Sequence, residues 1–492
     1  MNLYDREIIR GYEALKRQAL RACEQGQIEK TFSLIECLSR TVNQCNWMLH
    51  DEALSNMMDS LSRQMLTPKS CTPIPKRVVF YDQYGKYFIL AQQYLNALVA
   101  AGYDVLYVLS DYVSANPSTF IVEDLRNNPH IQVEVVPLQW SYQQRAEHIQ
   151  QLTLDFAPEK IFLHVKMFSV FNLVLPSLPR TIQNYYIDLQ DHALWVKNHQ
   201  LDFVLPYRIW GATIDIEQRG FRPEQVLLLP YFPIVRDVPF QGFPKEVEGK
   251  VVIFTGGEFY KTIDKTSSYW TLIVRLLKEN PNAVVLYAIK GNDQFFAEQL
   301  QQLHEDYQSV QDRLIPIGFR TDINEVFAHC GIYLGTSPMS GGLMCQYAAY
   351  NSKPILQYYV PGLDANNETE QVISFNGNVS ISFTDAEAFL AEAKHLIDDA
   401  AYRQQRGKEI HEALITEAQF NDLLARTIQT NTNQVPYTKQ KINYAAFADW
   451  WMYLENNLFH SCRKYILSLL KRKKYIIMPL SALKARILQS HD

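Results

Sequence analysis

Three short stretches of this 492-residue chain carry residue types that could do chemistry. In the first, VVIFTGGEFYKTID, an apolar run ends in Gly256 and Gly257, and Lys261 follows shortly after. Paired glycines let backbone N–H groups come close to a phosphate, and a lysine adds positive charge beside them. The stretch could hold a phosphate, although most such loops are only tight turns that use the same glycines. In the second, GIYLGTSPMSGGLMCQYAAY, an apolar run leads through Ser340, Gly341 and Gly342 into a helix that begins at Leu343. The first N–H groups of a helix have no intrahelical partner and lie at its positive end, which again favours an anion. In the third, YYIDLQDHALWV, Asp188, Asp191 and His192 cluster after a strand-like run. Open α/β sheets take their ligands at the carboxyl ends of strands, so His192 reads either as a group in the ligand crevice or as a structural histidine capping the next helix. Asp191 is the better partner for His192, and Asp188 suits a buried cap of the strand-to-helix turn. His199 reads as a helix-surface residue.

Such residues need a scaffold to hold them. Apolar runs at 78–81, 104–109, 132–136, 160–164 and 185–189 alternate with helical stretches such as 88–101. A second series runs 251–255, 283–289, 314–317, 331–334 and 354–358. Buried strands separated by helices imply parallel sheets, because parallel neighbours need crossover connections. The two α/β units join through 229–244, which contains Pro230, Pro233, Pro239 and Pro244. Ahead of them, Ile8, Tyr12, Leu15, Ala19 and Ala22 recur at helical spacing, Gly26 offers a stop, and Ile28, Phe32 and Ile35 begin a second stripe. Met57, Leu61 and Met65 predict a third helix, followed by a proline-bearing linker at 67–76. Near the end, Phe447, Trp450, Trp451, Tyr453 and Leu454 make a dense aromatic helix, able to return to the first unit. The pattern predicts an α/β protein of GT-B architecture, two Rossmann-like domains facing a cleft. An N-terminal helical segment (1–70) precedes domains at 76–235 and 246–436, and a helical basic tail (437–492) follows.

Residues 185–365 resemble O-GlcNAc transferase and its bacterial relatives that glucosylate asparagine. In that family a strand is followed by a polar loop, Tyr-Lys-Ile-Asp, a helix carrying Trp, then Pro-Asn and a second strand. Tyr260, Lys261, Asp264, Trp270, Pro281 and Asn282 occupy corresponding places here, with one extra residue between Lys261 and Asp264. The resemblance implies that Lys261 grips the donor diphosphate and stabilises the leaving group. It also matches Pro338, Ser340-Gly341-Gly342 and Pro354. The family's acidic ribose contact falls near Tyr347, so Gln346 beside it is either a substitute ribose contact or an ordinary helix-surface glutamine. Related glucosyltransferases carry a histidine ten residues before an Asp-aromatic pair, as His192 stands before Asp202-Phe203. An imidazole there can accept a proton from an acceptor hydroxyl.

The resemblance implies a glycosyltransferase moving a sugar from a nucleotide donor, a UDP-sugar, to a protein or glycan acceptor. Catalytic groups would be His192, Asp191 and Lys261, with the donor on Gly256, Gly257, Lys261, Ser340, Gly341, Gly342, Leu343 and Gln346. With no carboxylate of the retaining pattern on the 343–350 helix, inversion is expected. There is no Asp-x-Asp motif, so no metal and no other cofactor is expected. The alternative is an inactive GT-B paralogue that binds an acceptor or partners an active transferase. A net charge of -5 gives no reason to expect nucleic acid, and seven cysteines without a CxxC pair suggest neither a disulfide framework nor a zinc site. The sequence has no apolar leader or membrane-spanning run, so a cytoplasmic protein is expected. The basic run 463–474 reads as a solvated helix or as a contact with the anionic inner membrane face.

Overall fold

A computed structural model describes residues 3–83, 88–109, 125–137, 139–166, 169–196, 199–235, 238–290, 300, 304–363, 369–374 and 379–459. The basic run 463–474 lies outside the described residues. The described chain forms two compact units. One comprises the residues up to Leu229, Asn421–Lys439 and Glu455–Phe459; the other comprises Pro230–Phe420 and Gln440–Leu454.

The first unit is built on six parallel strands: β1 (Ile74–Asp82), β2 (Asp104–Leu109), β3 (Ile131–Val135), β4 (Pro158–His164), β5 (Gln183–Asp188) and β6 (Phe203–Pro206). Their order across the sheet is β3-β2-β1-β4-β5-β6. The central strands are near-continuous apolar runs, as a sheet covered on both faces requires. Three helices, Leu3–Glu24, Ile28–Cys45 and Glu52–Met65, precede the sheet. Their stripe residues Tyr12, Leu15, Phe32, Ile35, Met57 and Leu61 share one apolar core with Val79, Tyr81 and Leu106 of the sheet. Each such side chain fully removed from water contributes about 1.5–3 kcal/mol. Gly26 ends the first helix at φ +66, where a side chain would be strained. Asp51 caps the third: it accepts from Ala53 N at 2.9 Å, from the Tyr12 hydroxyl at 2.6 Å and from Lys16 Nζ at 3.0 Å. A capping box, Ser141 with Gln144, starts the helix Tyr142–Phe156. The linker expected over 67–76 is shorter than that, because β1 already begins at Ile74.

The second unit repeats the plan with β7 (Val251–Glu258), β8 (Ala283–Lys290), β9 (Leu314–Pro316), β10 (Ile332–Leu334), β11 (Ile355–Tyr358) and β12 (Ser382–Phe383). The order is β12-β11-β10-β7-β8-β9, again parallel throughout. Phe254, Val284, Leu286, Phe327 and Tyr333 lie in its core beneath the helix Gly342–Tyr350. The aromatic helix Tyr444–Leu454 belongs to this second unit, not to the first. Its aromatic rings find their partners there, as described next.

Candidate functional site

In the second sheet the strand order reverses between β7 and β10, and ligands of open α/β sheets bind at such a reversal, beyond the carboxyl ends of the strands. Gly256 and Gly257 end β7, and Lys261 sits on the single 3-10 turn Phe259–Thr262 that follows. The loop from Gly335 to Gly341 leaves β10 and enters the helix Gly342–Tyr350. These two connections meet. Lys261 Nζ lies 3.5 Å from the Ser340 carbonyl oxygen, and Met339 N donates to the Lys261 carbonyl at 3.2 Å. A Cβ at Gly257 would touch Lys261 Cδ at 3.9 Å, and one at Gly341 would stand 4.0 Å from Nζ. The fold therefore brings Gly257, Lys261, Ser340 and Gly341 together, with an ammonium group beside a helix start.

The other glycines have packing reasons. A Cβ at Gly256 would meet Phe254 Cζ at 3.0 Å and Ala288 O at 3.1 Å; one at Gly342 would meet Tyr231 Oη and Val372 Cγ1 at 3.1 Å. Leu343 is half-buried on the first turn of the helix. The Lys261 turn is fixed from several sides. Trp270 Nε1 donates to Thr262 Oγ1 at 3.2 Å, Trp450 Nε1 donates to Ile263 O at 2.7 Å, and the Tyr260 and Trp451 rings pack 5.6 Å apart. Asp264 is taken up by local hydrogen bonds: its carboxylate accepts from Thr266 N, Thr266 Oγ1, Ser268 N and Ser268 Oγ at the start of the helix Ser268–Glu279.

Gln346 is not a helix-surface glutamine. It is fully buried, and Nε2 donates to Tyr231 O at 2.5 Å and Val372 O at 2.8 Å. Its donor group is thus committed to main chain, while the buried Oε1 has no hydrogen-bond partner among the described residues. The Tyr347 hydroxyl donates to Ile234 O at 3.1 Å. Where the resembled family places an acid for the ribose, this chain uses two neutral side chains to hold backbone.

In the first unit, β5 ends at Asp188 and the loop beyond it carries Asp191 and His192. Asp191 is fully buried and held in a fork by Arg208, with Nε at 2.6 Å from Oδ2 and Nη2 at 2.9 Å from Oδ1. Burial would raise its carboxyl, but the Arg208 guanidinium, with the His192 hydrogen bond, holds it well below the usual carboxylate range. His192 Nδ1 lies 3.4 Å from Asp191 Oδ1, and a quarter of the His192 side chain is exposed, at 26%. Asp188 is not a turn cap but one arm of a buried ion cluster. Arg219 Nη1 bonds Asp188 Oδ2 and Asp215 Oδ1, each at 2.9 Å. Burial, opposed by Arg219, pushes the Asp188 carboxyl well above its ordinary value. His199 is a tie rather than a loose surface group: it bonds Asp59 at 2.5 Å and Glu52 at 2.8 Å on the third N-terminal helix.

A further polar cluster, with no motif in the sequence to mark it, lies at the reversal point of the first sheet, between β1 and β4. There Asp82 Oδ1 meets His164 Nδ1 at 2.8 Å, and the Tyr107 hydroxyl donates to Asp82 Oδ2 at 2.7 Å, all three fully buried. Asp82 and His164 end strands and are register partners, so the signal was only that each polar residue closes an apolar run.

Among the described residues no three His, Cys, Asp or Glu side chains converge as metal ligands would, and no helix is long and apolar enough to cross a membrane. The six described cysteines are free thiols.

No protein-family model matches the sequence, and no curated protein does. Solved structures do match. A mutant of the O-GlcNAc transferase of Thermobaculum terrenum superposes with a TM-score of 0.51 at 13% identity, over 89% of this chain and 84% of that one. HepE of Anabaena, in complex with UDP, gives 0.50 at 15% identity, over 72% of this chain and 100% of its own. TarM gives 0.50 at 7% identity, over 73% and 99%. At such identities the likeness is one of fold, and the two six-stranded parallel sheets with their flanking helices identify that fold as GT-B.

Proposed function

We propose that this protein is a glycosyltransferase that takes a sugar from a nucleotide-sugar donor, a UDP-sugar, and passes it to a protein or glycan acceptor. The observation that carries the reading is the meeting of Lys261 with Gly257, Ser340 and Gly341 at the reversal point of the second sheet, beside a helix start. As the bond from the anomeric carbon to the diphosphate oxygen breaks, its electron pair leaves with the nucleotide. An ammonium group and preset N–H donors stabilise that charge more in the transition state than in the bound donor. The acceptor attacks the anomeric carbon from the opposite face, with inversion, and its proton passes to His192. An ionised Asp191 can only accept a hydrogen bond, so the proton of the neutral imidazole sits on Nδ1 and Nε2 is the base. Two neighbours of the same fold support the choice of donor: one is an O-GlcNAc transferase and the other holds UDP. Contact of the basic run 463–474 with anionic lipid belongs to the same proposal and would suit a lipid-linked acceptor.

The committed amide of Gln346 and the hydroxyl of Tyr347 favour a second reading, a GT-B protein that binds without turning over. One experiment separates the two. Incubation with a panel of nucleotide sugars should give slow release of the nucleoside diphosphate. Lys261→Ala should abolish that release while shifting the unfolding temperature by no more than about a degree or two, as for a change outside the packed core. Binding without release in the wild-type protein would favour the second reading, and an unchanged rate in Lys261→Ala would remove Lys261 from the chemistry.

A further inference from the structure

The helix Ile209–Glu217 is flanked by two arginines, Arg208 before it and Arg219 after it, and both reach back to the same loop. Arg219 is fully buried, and its Nη2 donates to three main-chain acceptors on either side of His192: Gln190 O at 3.2 Å, Asp191 O at 3.0 Å and Ala193 O at 2.8 Å. Its Nη1 is anchored by Asp188 and Asp215, and its guanidinium lies 4.1 Å from the centre of the Trp195 ring. Arg208 grips the Asp191 carboxylate from the other side. Gly211, on the first turns of the same helix, lets Asp191 approach closely: a Cβ there would lie 3.1 Å from both Cβ and Oδ2 of Asp191.

A buried guanidinium with two buried carboxylates is a costly way to hold a loop, since apolar packing of equal volume is often as stable or more so. What it supplies is direction. A guanidinium is planar with its donors in fixed directions, so two amino groups shared among three carbonyls and two carboxylates restrict the loop strongly. The loop so held carries His192, which is partly open to solvent while its neighbours are sealed.

We infer that Arg208 and Arg219 are positioning residues which, through the loop 190–193 and the Asp191 carboxylate, fix His192 with its proton on Nδ1 and Nε2 as the acceptor nitrogen. The inference rests on the role of His192 in the proposed function for its catalytic meaning, but not for its structural content. Arg208 acts on the carboxylate, keeping it ionised and aimed; Arg219 acts on the backbone. Gly211 is the counter-surface against which the carboxylate is pressed.

The test uses the full chain with nitrogen-15 histidine, read by nuclear magnetic resonance, with His192→Gln identifying the His192 signals. In the wild-type protein at a pH where the ring is neutral, His192 should show one tautomer, protonated on Nδ1. Arg208→Gln and Gly211→Ala should each give a mixture of tautomers, and Arg208→Lys, which keeps the charge but not the fork, should fall between. A thermal melt of each variant checks that it is folded, and Gly211→Ala serves if Arg208→Gln is not. The same tautomer, undiluted, in all folded variants would overturn the inference, as would a wild-type His192 protonated on Nε2. In the nucleotide-sugar hydrolysis assay, kcat should fall about tenfold or more in Arg208→Gln with KM for the sugar nucleotide unchanged, the loss expected of a misdirected base. Total lack of turnover in the wild-type protein would count against the proposed transferase, and the tautomer measurement would still decide for or against the positioning role.

Discussion

Replacing Trp450 by Phe isolates what the aromatic helix contributes to the Lys261 turn. The indole N–H donates to Ile263 O at 2.7 Å, with Trp450 only 2% and Ile263 only 1% exposed. Phe keeps most of the apolar contact but removes the donor, leaving a buried carbonyl without its partner at a cost of about 1–3 kcal/mol. The smaller ring adds roughly 1 kcal/mol for the gap, well short of the 3–5 kcal/mol of a full Trp→Ala truncation. The sum, about 2–4 kcal/mol, should appear in urea unfolding of the second unit. Because Ile263 is two residues from Lys261, the loosened turn should also weaken binding of UDP, followed by calorimetry. An affinity for UDP close to the wild-type value, together with the expected loss of stability, would refute the link between the helix and the lysine. Unchanged stability would refute the hydrogen bond itself.

The remaining predictions touch other parts of the chain. Protein stripped with EDTA should keep its nucleotide-sugar hydrolysis, because Lys261 and helix N–H groups are proposed to meet the leaving-group charge; a strict need for Mn²⁺ or Mg²⁺ in the same assay would contradict that. Asp51 sits in a buried network that, against the raising effect of burial, keeps its carboxyl below the ordinary range through the Tyr12 hydroxyl and the Lys16 ammonium. Its depressed value means that its stabilisation is present above the unfolded carboxyl pKa of about 3.9 and is lost as pH falls through the folded value. Asp51→Asn should therefore cost on the order of 1 kcal/mol at neutral pH, with the difference from wild type vanishing in acid unfolding curves. Gly407→Ala places a Cβ 1.9 Å from the Ser352 carbonyl oxygen, a backbone atom that cannot swing away, so calorimetry should record a clear drop in unfolding temperature.

Local pattern made the N-terminal helices legible, because each buried side chain of the stripe Ile8, Tyr12, Leu15, Ala19 and Ala22 is set by its own helix. The same holds for the long strands, whose apolar runs are continuous. β6 and β12 went unseen. Phe203–Pro206 has four residues and Ser382–Phe383 two, too few for any period, and both are strands only because a neighbour pairs with them. The lysine and its glycines could be picked out, since they lie within one strand-turn connection. Their meeting with Ser340 and Gly341 is a property of the strand order, which the sequence does not state. Nothing in the sequence singles out Arg208 or Arg219, because only the fold brings Asp191 and Asp188 within their reach across 17 and 31 residues. The burial of Gln346 is not legible in its own helix, because it comes from the segment at Tyr231 and from Val372, both remote in sequence.

The chain passes from one unit to the other more than once: the second unit stops at Phe420, and Gln440–Leu454 completes it after an intervening stretch of the first. Lys261 and its glycines are therefore made long before the residue that secures their turn, since Trp450 lies 187 positions beyond Ile263. At translation rates of about 5–20 residues per second, roughly 10–40 seconds separate the two on the ribosome. A chain broken off in that interval would hold every glycine and the lysine, and could form all six strands of the second sheet, yet would lack the clasp. Premature stops between β12 and Trp450 should accordingly behave as loss-of-function alleles, and a gene fragment covering Pro230–Phe420 alone would make a poor stand-in for the second unit.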